Sequence, residues 1–247
     1  MLWYKSWLET RWRFLIGLAL LMCTAALVVF MYPQAVKLLP LASNADVGGP
    51  FGARFVQAAD LWRTYRGYVW SQWFTDNLAN LLSIFAVLLG TGGLLSEASR
   101  GGALFTLSMP ASRKRLLGVR AACGLGELLV LAFVPSLLLP LLSPVVGQSY
   151  GLGDVLVHSG GMFIQGAALF SATFLLSTVF GDVWRPLLIV LCGASLLGAW
   201  QHGLFRILSA ESYFRGEGVP WLGLLAIAAA SATMLYGAVA NISRRDF

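Results

Sequence analysis

Stretches without a single Asp, Glu, Lys or Arg run from Phe14 to Val36, Asn77 to Ser96, Val155 to Gly181, Pro186 to Phe205 and Gly218 to Ser243. A further stretch, Ala121 to Gly153, is interrupted only by Glu127. A helix rising about 1.5 Å per residue needs roughly 20 apolar residues to cross hydrocarbon about 30 Å thick, and each run can supply them. The chain is 58% hydrophobic and only 11% charged, where soluble domains carry about a quarter charged residues. The runs are continuously apolar rather than alternating, which favours helices over a transmembrane barrel. The expected fold is an all-α membrane protein, one transmembrane domain over 1–247 with spans at 14–34, 77–97, 116–140, 155–180, 186–205 and 219–241. The first run exceeds the length of a signal-peptide h-region, so cleavage after LASNA is not expected.

Orientation follows from basic residues. With the N-terminus inside, the inner segments hold Lys5, Arg11, Arg13, Arg100, Arg113, Lys114, Arg115, Arg120, Arg185, Arg244 and Arg245. The outer segments are longer yet hold only Lys37, Arg54, Arg63, Arg66, Arg206 and Arg215. The positive-inside bias therefore places both termini in the cytoplasm. The net charge of +6 is accounted for by topology and anionic lipid, and nothing in it requires nucleic acid. Cys23, Cys123 and Cys192 fall inside predicted spans without metal spacing, as core thiols do.

Residues 1–13 form an amphipathic lead-in, with Lys5, Glu9 and Arg13 four apart on one face and Trp3, Tyr4, Trp7 and Leu8 on the other. This segment is either an interfacial helix or the inner end of a long first helix. The outer segment 35–76 is too long for a structureless loop. Its first half is rich in Pro and Gly, but Trp62, Tyr65, Val69 and Trp73 recur at helical spacing, predicting an interfacial helix that anchors the chain or contacts substrate. Pro135, Pro140 and Pro144 predict that the third span bends or ends near Pro140. Pro186 is placed to start the fifth span. One or two short helical turns are expected between the fifth and sixth.

Segment 98–114, between spans two and three, carries the strongest local pattern. Glu97 and Arg100 close the second span, and Gly101 and Gly102 break its helix. Ala103–Met109 is expected to form a short helix exposing Leu104, Phe105 and Leu107, with Pro110 to stop it and Ser112 to cap the next. Such a bracketed apolar helix suits another protein's groove. Composition alone supports equally a hairpin at the membrane surface whose Arg113, Lys114 and Arg115 bind headgroups.

The pattern E-x-S-R-G-G-x-x-x-T-L-S-x-P-x-S-R, Glu97 to Arg113, resembles the signature of the permease subunits of type-2 ABC transporters. The likeness extends loosely along the whole chain. YRGYVWSQWFTDNL and the tail NISRRDF are similar to bacterial members of that family. The resemblance implies a coupling helix that docks on an ATPase subunit, with Glu97, Gly101, Leu107, Pro110 and Arg113 matching and Arg120 standing where lysine is common. It also implies an ATPase dimer carrying ATP and Mg²⁺, a second permease copy or a homologous permease, surrounding lipids, an extracytoplasmic accessory protein in some systems, and a place in the bacterial inner membrane. An exporter fits this class, although the residues name neither cargo nor direction.

The residues independently call for an external motor. A P-loop needs Gly-Lys before Ser or Thr, and none of Lys5, Lys37 and Lys114 follows glycine. This chain holds no cofactor of its own on that reading and is not an enzyme. With only His158 and His202, and neither H-E-x-x-H nor G-x-S-x-G, an intramembrane hydrolase lacks its constellation. A secondary transporter or channel is the alternative class. Glu127 lies about 18 Å along its helix from Arg115, where an ionised carboxylate costs about 2.5–3.5 kcal/mol. It either bonds a neighbouring helix or lines a pathway, and His158 and Gln165, seven residues apart on span four, either add polar lining or satisfy helix contacts. Gly160, Gly161 and Gly166 there, with Gly90, Gly92 and Gly93 on span two, are expected to permit close helix packing.

Overall fold

The structure, a computed structural model, describes residues 2–44, 60–91, 113–200, 207–208 and 210–243. Every regular element among them is helical: α1 (Leu2–Asn44), α2 (Tyr65–Gly90), α3 (Arg113–Leu142), α4 (Leu152–Ser177), α5 (Trp184–Trp200), the short α6 (Glu211–Phe214) and α7 (Trp221–Ser243). Five stretches are long and apolar enough to cross a membrane: Leu2–Lys37, Tyr65–Gly90, Lys114–Val146, Leu152–Ser177 and Trp221–Ile242. A shorter apolar helix covers Trp184–Leu196. This architecture fits a multi-pass membrane protein, in which helices satisfy their own backbone hydrogen bonds where no water is present.

Helix α4 is the hub. It packs most extensively on α7, α2 and α3, while α1 lies mainly along α3 and touches α2. Its contact with α2 is backbone to backbone at one point. A Cβ added to Gly90 would stand 2.8 Å from the Phe170 carbonyl oxygen, so glycine there sets the helix separation. Gly161 likewise faces the Leu208 carbonyl, whereas a Cβ on Gly160 would meet nothing. Of the glycines expected to permit packing, Gly90, Gly161 and Gly166 do so, the last against Leu82 and Leu128.

The boundaries differ in part from the sequence expectation. Of the two readings of the lead-in, Leu2–Arg13 is the inner end of a long first helix, and that helix runs beyond 34, past Pro33 and Pro40, to reach Asn44. The aromatic stripe of the expected interfacial helix is instead the buried face of the upper part of α2: Tyr65, Val69 and Trp73 all lie in the core, with Trp73 fully buried. The polar ends of these aromatics suit an interface-bound helix, but their partners lie on α3 and in the turn that follows it. The Trp73 indole donates to Ser136 Oγ at 3.0 Å, and the Tyr65 hydroxyl meets Ser143 Oγ at 2.7 Å. Finally, Thr91 turns extended (ψ 159°) after Gly90, and the rest of the expected span, 92–97, lies outside the described residues.

Part of α2 is not α-helical. Trp70–Leu78 forms a π-helix, a wide turn usually confined to short bulges and frequent at functional sites. Side chains help it: Thr75 Oγ1 donates to the Trp70 carbonyl at 3.2 Å and Asn77 Nδ2 to that of Gln72 at 2.6 Å, each five residues back. Helix α3 does end near its prolines as expected. A 3₁₀ turn over Ser143–Val146 follows, and Gly147 closes it at φ 69°. The connection before α7 contains helical turns, including α6, also as expected.

Gly90→Ala should force α2 and α4 apart at a cost of about 1–3 kcal/mol, the usual penalty of overpacking. Thermal unfolding in detergent should register a lower midpoint for it, while Gly118→Ala, whose Cβ meets nothing within 4 Å, should match the parent.

Candidate functional site

Two polar clusters sit at opposite ends of the bundle. The first gathers at the foot of α1. Lys5 and Glu9 pair one turn apart at 3.8 Å, and Arg120 of α3 reaches Glu9 at 3.2 Å. Leu2, Ser6, Leu116 and Val119 line a small cavity beneath that pair. One residue further on, Thr10 Oγ1 lies 2.5 Å from Glu127 Oε1, which the Cys123 thiol approaches at 3.9 Å. Glu127 is buried, and its Oε2 has no hydrogen-bond partner among the described residues.

Arg13 extends this foot to α2. Its Nη1 donates to the Leu88 carbonyl at 2.7 Å and to Thr91 Oγ1 at 3.1 Å. The last four carbonyls of a helix lack partners within it, and a cation at that end also meets the negative pole of the helix dipole. Arg13 therefore caps the helix that Thr91 terminates, while Glu9 holds the first turns of α3. Both flanks of segment 92–112 are thus tied to the same two turns of α1.

The second cluster is aromatic. Arg66 pairs with Asp154 at 3.0 Å, and its guanidinium lies 5.5 Å from the Phe214 ring and 6.0 Å from that of Tyr213. Phe214 stacks on Trp70 at 4.6 Å, and Tyr32 meets Tyr65 edge-on at 4.8 Å. Burial, reinforced by the Asp154 carboxylate, pushes the Tyr150 phenol up beyond the ordinary tyrosine range. Burial and the same carboxylate raise Tyr213 too. Both remain neutral at physiological pH, and the stability they confer by staying neutral falls only as pH climbs past the unfolded tyrosine value near ~10.

The sequence candidates are distributed rather than gathered. Glu127 belongs to the foot. His158 is fully buried in the aromatic cluster, 5.0 Å from Phe74 and 5.6 Å from Tyr213. Gln165 lies between these levels and donates to Ser83 Oγ at 3.0 Å. Glu97, Arg100, Gly101, Leu104, Phe105, Leu107 and Pro110 lie outside the described residues, and Arg113 opens α3. No group of three or more His, Cys, Asp or Glu suited to a metal occurs among the described residues.

One set escaped the sequence reading. Gln72, Asp76 and Asn80 follow one another at four-residue steps along α2, with Asp76 and Asn80 exposed and Gln72 half-buried. Gln72 Nε2 lies 3.3 Å from Asp76 Oδ2, and Asn80 Nδ2 donates to the Asp76 carbonyl at 2.7 Å. With the second span starting at 77, Asp76 falls at the end of the outer segment 35–76; the helix from Tyr65 instead carries it on an exposed face of α2. Comparison of the chain with models of known families, with curated proteins and with solved structures finds no match.

Arg13→Ala should cost about 1.5–3 kcal/mol, the range for a hydrogen bond to a charged group, and should speed limited proteolysis between α2 and α3. Glu127→Gln retains an acceptor for Thr10. It should keep a thermal midpoint within a few degrees of the parent, whereas Glu127→Leu, which removes the link between α1 and α3 and leaves the Thr10 hydroxyl only the Ser6 and Trp7 carbonyls of its own helix, should fall below it.

Proposed function

We propose that this chain is the membrane-embedded permease subunit of an ATP-driven transporter, receiving force from a separate ATPase through segment 98–114. The observation that carries the reading is the position of the Glu97–Arg113 pattern: it joins two membrane-length helices whose near ends are both fastened to the foot of α1 by Arg13 and Glu9. A push on that segment is then delivered to three helices together rather than to a loose loop. The chain lacks a P-loop lysine, so the nucleotide and its Mg²⁺ belong to the partner.

In this reading α5 is the sixth crossing. It spans about 25 Å at 1.5 Å per residue, a little short of the hydrocarbon core, and its inclusion returns the C-terminus to the side of the N-terminus. That side is the cytoplasm, where the basic residues of the foot, Arg113 to Arg115 and Arg185 collect. The assembly pairs two permease chains with two ATPase subunits in the bacterial inner membrane and works as an exporter. Closing of the ATPases moves the segment and reopens the pathway to the other side.

Purification in mild detergent should bring down an ATPase. Replacing Leu104 and Phe105 together by glutamate should abolish that association while leaving membrane insertion intact. Undiminished co-purification of the double variant would remove segment 98–114 as the contact, and full transport by the isolated chain without any ATPase would make it a secondary transporter or channel.

A further inference from the structure

We infer that the Gln72–Asp76–Asn80 face of α2 is the surface on which a second copy of this chain packs within the membrane. This rests on the reading above for the number of copies and deepens it by naming the face. Asp76 stands about 21 Å above Gly90 at 1.5 Å per residue, within the hydrocarbon if the Arg13-capped end lies at the inner boundary. An ionised carboxylate facing lipid there is unfavourable, and such groups face a bundle interior, a wet cavity or a partner instead.

The other exposed faces of the long helices show what lipid contact looks like in this protein. Helix α1 presents Ile16, Leu27 and Phe30, and α7 presents Leu222 and Leu225. The hydroxyls on such faces are satisfied by their own helix: Thr24 by the Leu20 carbonyl, Ser195 by Leu191 and Thr233 by Ala230. An ionised carboxylate only accepts hydrogen bonds, so backbone carbonyls cannot satisfy it in that way. Gln72 gives it one long contact at 3.3 Å.

The stripe is self-complementary. Two copies related by an axis along the membrane normal hold their Asp76 carboxylates at one level, and the amides of Gln72 and Asn80, one turn above and below, reach diagonally to the other copy's carboxylate and separate the like charges. Below Asn80 the same face becomes apolar at Ile84, suiting close packing of the pair toward the inner side. A closed two-fold interface of this kind uses one patch twice.

The test uses the full chain in its native membrane with Cys23, Cys123 and Cys192 replaced by serine and single cysteines introduced as Asn80→Cys, Ile84→Cys or Leu222→Cys. Mild copper-phenanthroline oxidation should convert the first two, at least ten-fold more than the third, into disulfide-linked species of twice the chain mass. Equal or greater linking at Leu222→Cys would overturn the inference. So would single-step photobleaching of a labelled chain together with free reaction of Asn80→Cys with a charged thiol reagent, which would make the stripe the wall of a water path in one chain. Failure here with ATPase co-purification intact removes this face alone; linking without an ATPase keeps the face and removes the motor.

Discussion

Hydrocarbon offers no hydrogen-bond partner, and the internal wiring of this bundle follows from that shortage. Each polar side chain in the helices must find a partner on its own backbone or on a neighbour. Ser136 of α3 and Ser143 of the 3₁₀ turn after it do both, donating to carbonyls one turn back while meeting Trp73 and Tyr65 of α2. Gln165 and Ser83 join α4 to α2 in the same manner. These pairs set the register of helices whose apolar surfaces would otherwise slide past one another, since lipid tails compete equally for apolar contact.

The foot of α1 shows the same constraint at a boundary. A helix end exposes carbonyls without partners, and Arg13 supplies one where Thr91 leaves the helix. Glu9 answers Arg120, and Thr10 answers Glu127. Three consecutive contacts on one short stretch of α1 therefore fix both neighbours of the intervening segment. Glycine contributes from the opposite direction: Gly90 lets α2 approach the α4 backbone closely enough for the wiring to reach.

The helical class and the positions of the long helices were legible because unbroken apolar runs have few other interpretations. The boundaries of α1 and α2 were less so. Charge marks where a span leaves lipid only when the charge faces water, and Lys5, Glu9 and Arg13 instead serve helix contacts while Asp76 sits inside a helix. The aromatic stripe from Tyr65 to Trp73 has the period of any amphipathic helix, and periodicity does not distinguish a face turned to headgroups from one turned to another helix. Glu127 was visible as an oddity by its charge alone. Its partner Thr10 was not, because a threonine 117 positions away leaves no local signature. Nor could spacing reveal that His158 and Gln165, on one helix, serve different levels of the bundle.

The wide turns of Trp70–Leu78 carry a geometric consequence. Each α-helical residue advances about 100° around the axis, and a π turn accommodates one residue more than an α turn before the chain closes on itself. Were that surplus trimmed, everything above it would swivel by roughly a quarter revolution relative to everything below. Tyr65 and Arg66 could not then stay aimed at Ser143 and Asp154 while Leu82 and Gly90 stayed seated on α4. The irregular stretch acts as a phase adjuster, reconciling two halves of one rod that answer to different neighbours.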